Sequence, residues 1–296
     1  AKDLTKMSAK SSVKLLSPNK NSKLFKWVSI LTGSKNAVKG FGFLTGALLL
    51  SFTSFETSLM IMALILAFMF VLLLINLKTN ISEVNKNSKF SEVFSKNKDI
   101  NYLSLGRVFL FGSRDTWFVV GLPIFLYSAL SDGSLDEDKK GFFIVGTFMA
   151  TWTIFYGLVQ TITPKILSKN KSFSKQTKLW AGFLTAIPLL LISLNYYFEE
   201  YSIYNITFLL FMFGFVFAIN SSIHSFLILN YTNKNRVTLD VGFYYMSNAF
   251  GRLIGTLLSG LAFQYGGFTL CLFITSILLM LNSLVIQKLN LKHINV

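Results

Sequence analysis

The stretch YLSLGRVFLFGSRDTWFVVGLPIFLYSAL, residues 102–130, decides the fold class. It is long and apolar enough to cross a lipid bilayer, which takes about 20 mostly apolar residues. Arg114 and Asp115 lie near its middle. Because an ionised side chain at that depth costs about 3 kcal/mol or more, we expect this pair to be retained for a function.

The composition indicates a polytopic membrane protein. Of the 296 residues, 52% are hydrophobic and 16% are aromatic, and the mean hydropathy is +0.55. That is more apolar area than a soluble domain of this length can bury. The net charge of +15 does not indicate nucleic-acid binding, because most of the basic residues lie between apolar runs and not on a basic, aromatic-bearing face. The predicted fold class is an all-α membrane protein.

Eight membrane spans are predicted, at residues 36–53, 57–76, 102–130, 141–163, 179–198, 205–229, 241–263 and 268–287. The loops on one side of the membrane hold 22 of the 28 Lys and Arg residues, whereas the loops on the other side hold only Lys139 and Lys140. By the positive-inside rule, both ends of the chain are therefore expected in the cytoplasm. The expected location is the plasma membrane, which in a bacterium is the inner membrane.

The longest polar break between spans predicts the domain organisation. This break, residues 78–101, is interpreted as a cytoplasmic linker. Residues 1–77, a cytoplasmic loop followed by two spans, would end an N-terminal half, and residues 102–296 would form a C-terminal six-helix bundle. Such a plan is typical of the second part of a twelve-helix transporter, in which each six-helix half contains inverted repeats of three helices.

Arginine is rare in this chain, and its positions are informative. Lysine accounts for 24 of the 28 basic residues, yet three of the four arginines, Arg107, Arg114 and Arg252, lie inside predicted spans. A guanidinium group binds carboxylates and phosphates in a bidentate way. Arg107 and Arg114 are seven residues apart, so on a helix they share a face at a separation of about 10 Å. We predict that the three arginines bind an anionic substrate; salt bridges between helices are the alternative.

Asp115 is the predicted salt-bridge or coupling residue of this site. On a helix it is rotated by about 100° from Arg114, so the two neighbours are not expected to face each other. Its partner is predicted to come from another helix, from water or from a proton. Asp115 would then hold an arginine or exchange a proton during transport.

A polar stripe is predicted in the span at 205–229. Asn220 and His224 are four residues apart, as are Ser221 and Ser225, so all four lie on one helix face. In the functional interpretation Asn220 and His224 orient a substrate, and His224 is also suited to carry a proton. Hydrogen bonding between helices is the other interpretation.

The span at 241–263 combines a packing face with a polar face. Small residues recur every four positions and predict close contact with a neighbouring helix: Ser247, Gly251, Gly255 and Ser259. The adjoining row contains Asn248 and Arg252, for which we predict substrate contact. Gly42 and Gly46 in the first span are predicted to be a second close-packing pair.

Several kinds of chemistry have no motif in this sequence. Paired carboxylates, a nucleophile with its base and metal-ligand spacings are missing, as is a glycine-rich nucleotide loop. Cys271 is the single cysteine, so no disulfide framework is expected. The sequence predicts a protein that is not an enzyme and that has no cofactor and no metal site.

Four stretches together resemble one family of transporters. They are GSRDTWFVVGLPIFLYS (112–128), YGLVQTITPKIL (156–167), FAINSSIHSFLILNY (217–231) and VGFYYMSNAFGRLIGTLLSG (241–260). With them, nearly the whole chain resembles the ArsJ-type organoarsenical efflux permeases of the major facilitator superfamily. The opening KDLTKMSAKSSVKLL (2–16) is similar to the cytoplasmic loop that follows the fourth helix of that family. The resemblance implies a partial bundle of eight helices that lacks helices one to four.

The resemblance also implies a substrate. It is 1-arseno-3-phosphoglycerate, which glyceraldehyde-3-phosphate dehydrogenase forms when arsenate replaces phosphate, so the expected result of export is arsenate resistance with a functional link to that dehydrogenase. A polyanion with a phosphate and an arsenate end suits several separated guanidinium groups. The alternatives are an exporter of another organic anion or drug and a non-transporting membrane sensor or scaffold.

Overall fold

A computed structural model describes residues 8–14, 21–76, 97–130, 135–167, 172–197, 202–233 and 236–291. Within these ranges the regular structure is helical. Residues 8–14 form a short helical stretch, and the longer elements are α1 (Asn21–Phe52), α2 (Phe55–Asn76), α3 (Lys98–Phe118), α4 (Gly121–Leu130), α5 (Leu135–Ile166), α6 (Phe173–Tyr197), α7 (Ser202–Tyr231) and α8 (Val237–Gln287).

Six helical segments of the described chain are long and apolar enough to cross a membrane. They are Phe55–Asn76, Lys98–Ala129, Lys140–Ile166, Phe173–Tyr197, Tyr204–Tyr231 and Val237–Gln287. The chain is thus an all-α, multi-pass membrane protein, as predicted. The predicted number of eight crossings stays a prediction, because α1 carries Lys35 and Lys39 in its middle and is not among these six segments.

The long helix α8 is interrupted between its two predicted spans. Gly266 and Gly267 have non-helical backbone angles, and the φ of Gly267 is +61°, a conformation that glycine adopts without the steric cost of a side chain. The chain folds back after this break, because the Cys271 thiol lies 3.7 Å from the Ser259 carbonyl oxygen, twelve residues earlier. A straight helix would separate such residues by about 18 Å.

The predicted span at 102–130 is also interrupted, between α3 and α4. Pro123 has no N–H to donate to the carbonyl of Val119, so the regular helical ladder is broken there. The Ser259 hydroxyl of α8 accepts hydrogen bonds from the N–H groups of Val120 at 3.3 Å and Gly121 at 3.0 Å. Ser259, which the sequence placed on the packing face of its span, thus accepts the N–H groups that the interruption of the helix leaves free.

Glycines determine how closely the helices pack, in part as predicted. A Cβ built on Gly251 or Gly255 of α8 would overlap the backbone of α3, which confirms the predicted close contact. The prediction for Gly42 and Gly46 is wrong, because a Cβ at either position has no atom within 4 Å. On α1 the close contacts with α5 are instead made by Gly33 and Gly40, which lie on the other face of the helix.

The predicted linker at 78–101 falls mainly on residues 77–96, which lie outside the described residues. Its last residues are helical, since α3 begins at Lys98 after Asn97, whose side-chain oxygen accepts the N–H of Asp99 at 2.9 Å. This is an ordinary helix N-cap, a role that asparagine fulfils well. Helix α1, assigned from sequence to the N-terminal half, packs along α5 of the predicted six-helix bundle.

Candidate functional site

Asp115 lies between two arginines at the centre of the site. Its side chain is fully buried, and its Oδ1 accepts a hydrogen bond of 2.7 Å from Arg114 Nε, while Oδ2 accepts one of 2.7 Å from Arg252 Nε. The expectation that Arg114 and Asp115 do not face each other was wrong, because the long arginine side chain folds back to the next residue. A partner from another helix, Arg252, is present as predicted.

Arg107 is a second buried cation, and its hydrogen-bond partners are neutral. It is 4% exposed, and its Nε donates to Asn248 Oδ1 at 2.9 Å and its Nη1 to Ser221 Oγ at 3.2 Å. Among the residues that the structure describes, it forms no ion pair with a carboxylate. A buried charge without a counter-ion is costly, so a negatively charged ligand beside Arg107 would be stabilised.

The ring of Phe111 lies beside both guanidinium groups of α3. The guanidinium carbon of Arg107 is 3.7 Å from the centroid of this ring, and that of Arg114 is 4.7 Å from it. Both distances are within the range of cation–π attraction, which strengthens where water is excluded. Phe111 follows Arg107 by four residues and precedes Arg114 by three, which are the spacings of neighbours on a helix surface.

A chain of hydrogen bonds connects this site to helices α1 and α5. Asn36 donates to the side-chain oxygen of Gln160, Gln160 donates to the Tyr156 hydroxyl at 2.9 Å, and Tyr156 donates to Ser221 Oγ at 3.1 Å. Ser221 is also the acceptor for Arg107. Five helices, α1, α3, α5, α7 and α8, therefore meet in one polar network.

A cavity of about 90 Å³ opens beside these groups. Among the described residues that line it, six are cationic and none is a carboxylate; the cationic ones are Lys10, Lys35, Lys39, Arg107, Arg114 and Arg252. The three arginines and Asn248 were predicted from the sequence. The lysines of α1 and of the short helix at 8–14 were not predicted, nor were Asn36 and Tyr156. Spacing gave a signal for α1, since Thr32, Lys35, Asn36 and Lys39 stand at positions i, i+3, i+4 and i+7, which share one face of a helix.

Asn220 and His224, the two other predicted substrate-binding residues, do not line this cavity. Asn220 Nδ2 donates to the backbone carbonyl oxygens of Trp180 and Val216, both at 2.9 Å, so its amide joins α7 to α6. For Asn220, therefore, the alternative interpretation of the polar stripe, hydrogen bonding between helices, is the one observed. Its neighbour Ser221 is the residue of the stripe that contacts Arg107.

His224 lies in a separate buried polar spot. Neither of its ring nitrogens has a hydrogen-bond partner, and the same is true of both polar side-chain atoms of Asn282. The two residues meet at Gly106, where a built Cβ would lie 3.4 Å from His224 Cε1 and 3.3 Å from Asn282 Oδ1. Buried polar groups usually have a hydrogen-bond partner, so these two side chains are an exception to that rule.

The described residues contain no group of three or more His, Cys, Asp or Glu side chains able to hold a metal ion. Neither a scan against protein-family models nor a search of the curated proteins returned a match for this chain. The chemistry of the cavity therefore has to be interpreted from its own residues.

Proposed function

We propose that this protein is a secondary-active transporter that exports an organic anion through the cationic cavity. The observation that carries the proposal is Arg107, a buried cation whose hydrogen-bond acceptors are both neutral, beside a cavity whose described lining holds five further cations and no carboxylate. In the membrane interior such charges are expensive unless a counter-ion is present for part of the time. A transported anion supplies that counter-ion.

The geometry supports separate roles for the lining residues. Arg107 and Arg114 would bind the anion through their guanidinium forks, and Arg252 would bind it from the opposite helix. Asn248 would hold Arg107 in position, since it accepts the Nε hydrogen bond. Asp115 would hold Arg114 and Arg252 in place, one at each of its two oxygens, and in this role it is a positioning residue.

Within this class, the substrate that we propose is 1-arseno-3-phosphoglycerate, and the family is that of the ArsJ-type permeases of the major facilitator superfamily. The support is the four resembling stretches together with a site of several separated cations, which suits a molecule charged at both ends. An interior-negative membrane potential favours exit of an anion by about 2.3 kcal/mol per charge per 100 mV. Export therefore does not require proton antiport.

The proposed function implies a change of shape around the cavity. Transporters of this class work by alternating access, in which two bundles move about a site near the midplane. The substrate would enter the cavity from one side of the membrane and leave it on the other.

The test is arsenic efflux and arsenate tolerance in arsenic-sensitive cells that express the gene, with and without co-expressed glyceraldehyde-3-phosphate dehydrogenase. We expect protection that depends on the dehydrogenase and that is lost in Arg107→Gln. The matched control is Arg236→Gln, which changes the one arginine outside the predicted spans. Failure of a well-inserted protein to protect would refute the arsenical substrate.

The alternatives give different results in the same cells. An exporter of another organic anion would show flux of other anions in everted vesicles that is lost in Arg107→Gln but does not depend on the dehydrogenase. A sensor or scaffold would move no anion, and its output would be independent of Arg114→Lys. The lysine retains the charge and removes the bidentate fork, so a transport defect in this variant favours the anion site.

A further inference from the structure

A second concave surface lies away from the cationic cavity, at the end of the α1–α5 pair. It has a volume of about 500 Å³. The described part of its lining combines lysines with apolar side chains and includes no Asp or Glu: Ser22, Lys23, Lys26, Ile30, Thr161, Ile162, Pro164, Lys165 and Leu167. We call it the α1–α5 groove. None of its residues contributes to the anion site described above.

The close contacts of α1 with α5 fix the level of this groove in the membrane. The two helices run antiparallel, because a Cβ on Gly33 would contact Thr161 and one on Gly40 would contact Ile154. Lys26 precedes Gly33 by about two helical turns, and Lys165 follows Thr161 by about one turn. Both lysines therefore lie at the same end of the helix pair.

That end coincides with the edge of the apolar layer. Lys165 is the penultimate residue of the membrane-crossing segment Lys140–Ile166. Trp27, which follows Lys23 by four residues, is 54% exposed, and tryptophan concentrates at the membrane–water interface. The lysines are thus placed at the level of lipid head groups.

The apolar part of the groove continues from the lysines toward the membrane interior. Ile30 lies one turn further along α1 than Lys26, and Ile162 lies about one turn deeper along α5 than Lys165 and is 45% exposed. A ligand that fits this order has an anionic group at one end and a hydrocarbon chain at the other. A free inorganic anion would leave the apolar part unfilled.

We propose that the α1–α5 groove binds one anionic phospholipid of the surrounding leaflet. Lys23, Lys26 and Lys165 contact its phosphate and head group, and its acyl chain begins along Ile30 and Ile162. Basic pockets between membrane helices on the cytoplasmic side bind anionic head groups by the same physics. The bound lipid contacts both helices beside Thr161, the α5 residue that meets Gly33 of α1, so it stabilises the packing of α1.

The test is native mass spectrometry of the purified chain with phosphatidylglycerol or phosphatidylcholine of the same acyl composition. We expect one retained phosphatidylglycerol and at least tenfold weaker retention in the triple variant Lys23→Gln, Lys26→Gln, Lys165→Gln. The matched control changes three exposed lysines outside the groove to Gln: Lys98, Lys175 and Lys178. It should retain the lipid as the native chain does.

A charge-conserving variant and three possible results decide whether the groove binds an anionic lipid. A Lys→Arg triple variant at the groove positions keeps the charge, so retention there and loss with Gln shows that charge and not misfolding is responsible. Equal retention of phosphatidylcholine, or equal loss in the control variant, would overturn the proposal. So would full displacement by inorganic phosphate, because the groove would then bind a free anion. None of these results depends on whether the cationic cavity transports an arsenical.

Discussion

Arg252 and Asp115 are 137 positions apart in the chain, yet Arg252 Nε donates a hydrogen bond of 2.7 Å to Asp115 Oδ2. The other oxygen of the same carboxylate accepts a hydrogen bond from Arg114. One carboxylate is therefore the counter-ion of two guanidinium groups, and the cluster of Asp115, Arg114 and Arg252 keeps a net positive charge beside the cavity. An incoming anion can bind to this cluster without first displacing the carboxylate.

Asp115→Asn should destabilise the protein strongly. It leaves the buried charge of Arg114 and the partly exposed charge of Arg252 without their shared counter-ion. For the buried pair with Arg114, removing one partner costs about 3–5 kcal/mol. We expect a lower midpoint of thermal unfolding in detergent. The double variant with Arg252→Gln should recover part of the loss, because one uncompensated charge is removed as well.

The control for this variant is Glu56→Gln, which changes an exposed acidic residue in the first turn of α2. Its midpoint should stay close to that of the native protein. If Asp115→Asn were equally harmless, the carboxylate would not be the group that balances the two arginines.

Gly255→Ala should weaken the packing of α8 on α3. The added Cβ would overlap the carbonyl oxygen of Gly112, and overpacking of this kind costs about 1–3 kcal/mol. Gly260→Ala on the same helix has open space around its Cβ, so the better helix propensity of alanine should make it neutral or stabilising. The unfolding midpoint should therefore fall in Gly255→Ala but not in Gly260→Ala, and an equal fall in both variants would contradict the close contact at Gly255.

Ser259→Ala should destabilise the junction of α3 with α4. The N–H groups of Val120 and Gly121 lose their acceptor in this variant, and leaving buried donors unpaired costs about 1–3 kcal/mol. Hydrogen exchange of these two amides should accelerate. Ser276→Ala is the control, because the Ser276 hydroxyl only donates to the Leu272 carbonyl of its own helix; similar exchange in both variants would refute the role of Ser259.

Some of the site could be predicted from the sequence, because charges in an apolar stretch are conspicuous. Arg107, Arg114 and Arg252 were identified for that reason, and the four-residue spacing of Gly251 and Gly255 predicted their packing face correctly. Spacing gives the face of one helix but not the helix that lies opposite it. For that reason Gly42 and Gly46, which have the correct spacing, were wrongly assigned to a contact.

The lysines of α1 were missed for a related physical reason. Lys35 lies just before the predicted span at 36–53 and Lys39 lies near its start, where lysines are common, so neither stood out as a buried charge. Their contribution to the cavity depends on how α1 packs against α5, which is a tertiary property. The direct bond between Arg114 and Asp115 was missed because helix geometry places Cβ atoms, whereas a long side chain can fold back to its neighbour.

Phe111→Leu should weaken anion handling at the cavity. The ring lies beside the guanidinium groups of Arg107 and Arg114, and each cation–π contact contributes about 1–2 kcal/mol where water is excluded. Without the ring, both side chains gain freedom and the anion meets a less ordered site. We expect that the arsenate concentration needed for half-maximal arsenic efflux rises about tenfold.

The loss of a buried ring also destabilises a protein, so the control has to remove an equally buried ring from the same helix. Phe118→Leu does this: Phe118 is 5% exposed and Phe111 is 7% exposed, and Phe118 packs on Trp117 and Trp152 instead of on an arginine. Both variants should lose a similar amount of stability, whereas only Phe111→Leu should shift the arsenate concentration for half-maximal efflux. Equal shifts would mean that the ring acts through packing alone, and the two arginines would then have to be ordered by their hydrogen bonds to Asn248, Ser221 and Asp115.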